Sequence, residues 1–276
     1  KGQTRAYWAI QTATASHSFS VILAKELSRQ EQELSLNRCL WQTALQVLLG
    51  QSSAEETNKS RMGSNPTAPI QADSVTAPAS WQRLLQQPGY QFCTQQHDGQ
   101  LLLPGSFNPV HDGHRQMLAA AEAITGLNGA FELTLRNADK PDLDYLSLQE
   151  RLAKMADTPV WLTNLTSFAD KAEAFPGTIF ALGTDTMARI AQPRFYDDNP
   201  VKVEQALATL KANKVRFLVF GRRQAASADS PQRFTCLEDL SLPDALTALC
   251  DGVPEDQFRS DLSSTDLRRS DAQSSN

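Results

Sequence analysis

Long apolar runs are missing from this chain. None approaches the roughly 18 residues that a membrane helix requires, and the opening Lys1-Gly2-Gln3-Thr4-Arg5 leads into no signal-type hydrophobic segment. The reading therefore excludes a membrane partner and takes the cytoplasm as the default. Cysteine is scarce: Cys39, Cys93, Cys236 and Cys250 lie far apart, without the paired spacing of a zinc site or the density of a disulfide scaffold. They read as reduced thiols, and no metal ligand set is expected. An excess of positive charge is also missing. With 26 Lys+Arg against 31 Asp+Glu and a net charge of -5, there is no basic field to hold a long polyanion, so nucleic acid is not the expected partner. No internal repeat is visible. The chain opens on Lys1 rather than Met and reads as a stretch of something longer.

What is present falls into four stretches. Residues 5–12 and 18–23 are β-type runs around a polar turn, with Trp8/Ile10 on one face of the first and Phe19/Val21/Leu23 on one face of the second. Ser28-Arg29-Gln30-Glu31 is a capping box, and Leu36, Leu40, Ala44, Val47 and Leu48 follow at helical spacing up to Gly50. Residues 1–50 are thus expected to form a small hairpin-plus-helix segment. From 51 to 80 the composition turns to Ser, Asn, Thr, Ala and Pro, which predicts a disordered linker. Residues 81–270 hold short apolar runs alternating with helical stretches. The strands are expected at 101–104, 130–135, 159–163, 178–182 and 215–220, and the helices near 112–125, 147–156, 184–191 and 202–213. A second capping box, Ser147-Leu148-Gln149-Glu150, is read as opening one of them. This alternation predicts an α/β fold: a Rossmann-like, doubly wound parallel sheet, preceded by a small α+β segment and the linker, with ligands beyond the carboxyl ends of the strands. Residues 271–276 read as a polar tail.

Two constellations carry chemistry. Gly105-Ser106-Phe107-Asn108-Pro109-Val110-His111-Asp112-Gly113-His114 follows the strand Leu101–Leu103 directly and opens the next helix. A strand-to-helix turn offers free N–H groups and the positive end of a helix dipole, which favour phosphate. Gly105 and Gly113 permit close backbone approach, and two imidazoles three residues apart can flank one phosphate. Half-buried turn histidines are the bland alternative; two of only four histidines at the expected junction weigh against it. The second constellation is Leu262-Ser263-Ser264-Thr265-Asp266-Leu267-Arg268-Arg269. Hydroxyls before a helix start, with arginines in its first turn, can make a second anion site; a well-capped terminal helix with solvated arginines is the bland alternative, and the motif becomes informative beside the first.

These motifs resemble those of nucleotidylyltransferases such as the nicotinate and nicotinamide mononucleotide adenylyltransferases. Gly105–His114 is similar to G-x-F-x-P-x-H-x-G-H, and Leu262–Arg268 to I-S-S-T-x-[IV]-R, in the family's order. Phe180-Ala181-Leu182-Gly183-Thr184-Asp185 resembles the strand ending in G-x-D beside the acceptor. Pro104 stands where a Gly is usual. The resemblance implies catalytic roles for His111, His114 and Arg268. It implies nucleotide binding by Gly105, Ser106, Phe107, Asn108, Gly113, Ser263, Ser264 and Thr265, and acceptor binding by Gly183 and Asp185. Arg222, Arg223 and Lys140 stay open. The first 50 residues weakly resemble the end of a CinA-like nicotinamide-nucleotide amidohydrolase domain, without its catalytic region.

The implied reaction is in-line attack of an acceptor phosphate on the α-phosphorus of a nucleoside triphosphate, with pyrophosphate leaving. An ionised phosphate requires no general base, in keeping with the lack of a convincing Ser/His/Asp or Cys/His arrangement. Mg2+ is expected with the triphosphate, with few or no protein ligands of its own. ATP and nicotinamide or nicotinate mononucleotide are the expected substrates, Asp185 being placed to accept hydrogen bonds and Trp161 or Phe168 to stack on a pyridine ring. Three alternatives stand beside this reading: phosphopantetheine as acceptor, cytidylyl transfer, and a nucleotide-binding module without turnover. Oligomeric state is left open.

Overall fold

The computed structural model describes residues 4–50, 69–136, 142–224 and 233–258. The described chain divides into two compact units, residues 1–82 with 144–149, and residues 83–143 with 150–276.

In the first unit, β1 (Thr4–Gln11) and β2 (Ala15–Leu23) form an antiparallel hairpin, and α1 (Arg29–Leu48) follows. Ser28 caps α1 with the full capping box that its sequence predicts. Trp8 stacks on Phe19 with ring centroids 5.6 Å apart and donates its indole N–H to the Thr43 hydroxyl at 3.0 Å. The face of α1 that is buried carries Ser35, Cys39 and Thr43 rather than leucines, and Leu48 is exposed. The linker expectation is corrected at its C-terminal end. Residues 71–76 form β3 (Gln71–Thr76), antiparallel to β2, and α2 (Ala79–Gln86) follows. Only Val75 of β3 is buried, so the strand is held by backbone pairing and leaves no apolar alternation to read. The rest of the linker, 51–68, lies outside the described residues.

The second unit is built on a seven-stranded sheet. Its strands, in chain order, are β4 (Gln91–Cys93), β5 (Leu101–Pro104), β6 (Gly129–Thr134), β7 (Val160–Thr163), β8 (Ile179–Gly183) and β9 (Arg216–Phe220). A separate two-stranded ribbon, β10 (Arg222–Gln224) with β11 (Arg233–Thr235), precedes the last sheet strand, β12 (Cys250–Val253). The order across the sheet is β12-β9-β8-β5-β6-β7-β4, all parallel except β4 against β7. After β5 the chain winds outward through β6 and β7, then returns to the other side of β5 for β8, β9 and β12. The expected doubly wound sheet is therefore present, and the winding reverses between β5 and β8, where such sheets bind ligands.

Both faces of the sheet are covered, which is why Leu101, Leu102 and Leu103 are all buried and read as a continuous apolar run. The helices are α3 (Asp112–Thr125), α5 (Phe168–Ala174), α6 (Thr184–Ile190), α7 (Pro200–Ala212) and α8 (Asp244–Thr247); α4 (Tyr145–Ala153) is divided between the two units. Leu118 and Ala121 of α3 are buried with Phe107. A separate cluster joins Leu102, Phe180, Leu182, Phe217 and Val219 to Ala172 of α5, Met187 of α6 and Leu210 of α7. The capping box read at Ser147 is displaced by three residues. Asp144 accepts hydrogen bonds from the Ser147 N–H and hydroxyl at 2.9 and 2.7 Å, so α4 begins at Tyr145 and Ser147 lies within it. The short β4, the four-residue β12 and the seven-residue α5 give too few residues for a periodicity to show.

Candidate active site

The motif Gly105–His114 leaves the carboxyl end of β5 and enters α3, at the reversal of the sheet. Its first residue is pinned by the Gly105 N–H, which donates to the Glu132 carbonyl of the adjacent strand at 3.0 Å. Its third residue is the anchor. Phe107 is 1% exposed and takes a left-handed φ of 43°, a conformation that costs a non-glycine residue roughly 1–2 kcal/mol. Burial of the ring offsets this with about 1.5–3 kcal/mol. It packs on Phe131 at 4.7 Å and meets the edge of His114 at 5.1 Å. A Cβ on Gly105 would lie 2.7 Å from the same ring. Glycine is thus required at 105 by the anchor, and the Phe107 side chain is committed to the core; only its backbone remains for a nucleotide. Ser106 and Asn108 are exposed on either side of it. The Ser106 carbonyl accepts from the Arg151 guanidinium at 2.5 Å, a tie to α4 that no short motif signals.

His111 is the N-cap of α3, with extended backbone (φ −144°, ψ 170°). Its N–H donates to His114 Nδ1 at 3.3 Å. That donor fixes the tautomer: Nδ1 of His114 is the acceptor, so a neutral ring carries its proton on Nε2. The two imidazoles stack with centroids 3.7 Å apart. Burial pushes His114 down to about 4, and its neighbour His111 adds to the shift. His111 is lowered by burial and partly restored by Asp112. At neutral pH the site therefore holds two neutral imidazoles over the first turn of a 14-residue helix. The N–H groups of Asp112 and Gly113 are among those that a helix's first turn cannot satisfy internally. The arrangement suits an anionic ligand whose charge is met by dipoles and N–H donors.

On the other side of the reversal, Gly183 ends β8 and caps α6. Asp185, in the first turn, forms an ion pair with Arg222, which follows β9. Arg222 was open in the sequence; the structure brings it to Asp185. Thr184 is 2% exposed and its hydroxyl has no hydrogen-bond partner among the described residues. A cavity of about 300 Å³ opens beside Gly105 and Ser106; His111, His114, Gly183 and Asp185 do not line it. Phe168, Phe195 and Tyr196 give it aromatic walls, and Arg136, Lys171 and Arg189 line it with no acidic side chain. Periodicity could not single out these cations, because the cavity gathers them from the segment after β6, from α5 and from α6. Trp161 is not part of it. Its indole N–H donates to His97 and its ring packs on Phe175, so of the two aromatics expected at the acceptor only Phe168 lines the cavity.

Ser263, Ser264, Thr265, Arg268 and Arg269 lie outside the described residues, as does Lys140. No group of three or more His, Cys, Asp or Glu side chains that could hold a metal ion occurs among the described residues. No helix among them is long and apolar enough to cross a membrane.

The winding order and the imidazole-bearing turn at its reversal define a nucleotide-handling domain of the doubly wound class. The chain belongs to the cytidylyltransferase-like family, whose model matches residues 102–270, from β5 through both motifs. It is thereby a member of the nucleotidyltransferase superfamily, acting on small-molecule nucleotide substrates. No curated protein matches the chain.

Proposed function

We propose that this domain transfers an adenylyl group from ATP to a mononucleotide acceptor, nicotinamide or nicotinate mononucleotide being the best fit, with release of pyrophosphate. The observation that carries the reading is the pair of neutral, stacked imidazoles at the start of α3, on the turn whose Gly105 and Ser106 line a cavity with aromatic walls and cationic side chains. An acceptor phosphate oxygen attacks the α-phosphorus in line. The new P–O bond forms as the bond from the α-phosphorus to the bridging oxygen of the β-phosphate breaks, and pyrophosphate leaves with that electron pair. The acceptor phosphate is ionised, so no proton must be removed from the nucleophile.

Catalysis then consists of positioning and charge stabilisation. His114 Nε2–H and the His111 ring donate to the α- and β-phosphate oxygens, and the first-turn N–H groups of α3 supplement them. Ser263, Ser264, Thr265 and Arg268 hold the β/γ end. Mg2+ carried with the triphosphate would supply charge neutralisation, with few or no ligands from the protein, while His111, His114 and Arg268 supply the protein's own donors. On the acceptor side, Phe168 supplies a face for a planar ring, while Gly183 and Asp185, the latter with Arg222, border the opposite loop. The resemblance of the motifs to mononucleotide adenylyltransferases supports ATP as donor and a pyridine mononucleotide as acceptor.

Product analysis with ATP and CTP, each against both mononucleotides and phosphopantetheine, tests the assignment. Dinucleotide should form fastest from ATP and a pyridine mononucleotide. Faster product from CTP or from phosphopantetheine would replace the donor or the acceptor and leave nucleotidyl transfer standing.

A further inference from the structure

Within the second unit lies a buried ion pair that the transfer chemistry leaves unused. Glu132 of β6 is 0% exposed and Lys171 of α5 is 7% exposed. Lys171 Nζ donates to Glu132 Oε2 at 2.5 Å. The second carboxylate oxygen accepts from the Thr134 and Thr163 hydroxyls at 2.7 and 2.5 Å. Both oxygens of Glu132 are thus engaged, by three donors in all. Ionised Glu and Lys are rarely buried this far, and such a pair stabilises a fold no better than apolar side chains of the same volume. Stability alone does not account for it. Its position does, because Lys171 lines the cavity beside Ser106 and Phe168.

An ammonium has three N–H donors. One goes to Glu132, and the group stands 5.4 Å from the centroid of the Phe168 ring, the face on which a planar ligand would lie. We propose that Lys171 is a specificity-determining residue of the acceptor site, donating to the oxygen of an uncharged carboxamide carried by the acceptor's ring. Glu132 is the positioning residue that holds the ammonium there and cancels its charge. The inference rests on the acceptor reading given above.

Net charge is the physical basis. A cation with a carboxylate at 2.5 Å presents donors but carries no net charge as a pair. A neutral carbonyl is satisfied by those donors, whereas a ring carboxylate at Lys171 would bring a second negative charge close to Glu132, which already holds that ammonium. The other two cations of the cavity are more exposed. Arg136 lies 3.4 Å from Asp142, and Arg189 stands over Phe195 at 4.9 Å. Being more exposed than Lys171, they suit a hydrated phosphate rather than a ring substituent.

The test compares the full chain as wild type, Glu132→Gln and Glu132→Gln/Lys171→Met. It measures kcat/KM with ATP for nicotinamide and nicotinate mononucleotide, the KM for ATP, and Tm. Wild type should prefer the carboxamide. Glu132→Gln uncovers the Lys171 charge and should move the preference toward the carboxylate by about tenfold or more. The double variant carries neither charge, which keeps it folded if the single variant is not. It should lose about tenfold or more with the carboxamide acceptor, with the KM for ATP nearly unchanged. An acceptor ratio that stays fixed in both variants, or an effect confined to Tm or to the KM for ATP, overturns the proposal and leaves nucleotidyl transfer intact. A wild type that turns over neither mononucleotide removes the acceptor reading, and this inference with it.

Discussion

Gly105→Ala puts the anchoring of the H-x-G-H turn to a quantitative test. The position has no positive φ, so alanine is permitted by the backbone and the whole effect must come from what its Cβ meets. That atom would lie 2.7, 2.8 and 3.2 Å from three atoms of the Phe107 ring, where ordinary contact begins at 3.4 Å. The ring must retreat by several tenths of an ångström, and it is 1% exposed between Phe131 and His114. Overpacking of this kind costs about 1–3 kcal/mol, equivalent to a Tm lowered by roughly 3–10 °C in a unit of this size. Because Phe107 touches His114 edge-on, the retreat also displaces an imidazole. A shift of about half an ångström at a positioning group is expected to lower kcat about 10- to 100-fold. Thermal unfolding and steady-state turnover should be measured for Gly105→Ala, Phe107→Leu and the double variant. Alanine should cost less in the Phe107→Leu background, with a coupling of about 1 kcal/mol or more. Additive effects, or a Gly105→Ala protein with wild-type Tm and kcat, would refute the anchoring argument.

Three further outcomes are expected. Because the folded pKa of His114 is depressed from 6.5 to about 4, the unfolded chain takes up its proton first. Stability should therefore fall as pH drops from 6.5 toward 4, by at most about 3 kcal/mol and less for the ring's partial exposure. Denaturant melts of wild type and His114→Gln across that range check this, the variant showing the shallower fall. Arg268→Ala should raise the KM for triphosphate and lower kcat, while Arg269→Ala should do much less; equal effects would mean the second motif is in the wrong register. Deleting residues 1–80 removes the partners of Tyr145, whose N–H donates to Ser16 Oγ at 2.8 Å and whose hydroxyl donates to the Ala13 carbonyl at 3.1 Å. The exposed ring and lost bonds should lower Tm by about 10 °C, and an unchanged melt would show that residues 144–149 do not depend on that unit.

The sequence displayed those parts of the fold in which side-chain burial is periodic. The strands at 101–104 and 216–220 are apolar because both sheet faces are covered, and α3 carries its stripe between a motif and the left-handed Gly126. β3 is hidden because backbone pairing holds it while five of its six residues are exposed, and β12 because four residues are too few for a period to show. Asp144 is hard to tell as the cap because Ser147-Glu150 presents a second, equally well-formed pattern three residues on. In the site, a contiguous motif was legible: His111 and His114 announce themselves at a strand-to-helix turn. Arg136, Arg151, Lys171 and Arg189 did not, since each is an isolated cation in its own segment and gains meaning only when the doubly wound sheet gathers the loops at one edge. Phe107 was legible as part of a motif but not in its role, because nothing in a string of residues shows that a ring folds back over the glycine two positions before it.

Pyrophosphate release from ATP, with a saturating mononucleotide acceptor, compared between wild type and His114→Ala, bears most directly on the claim that this turn performs nucleotidyl transfer. Wild type should release pyrophosphate in step with product. The variant should remain folded and lose about 100-fold or more in kcat, the usual loss when a donor to developing charge is removed. Turnover by His114→Ala close to that of wild type would contradict the account.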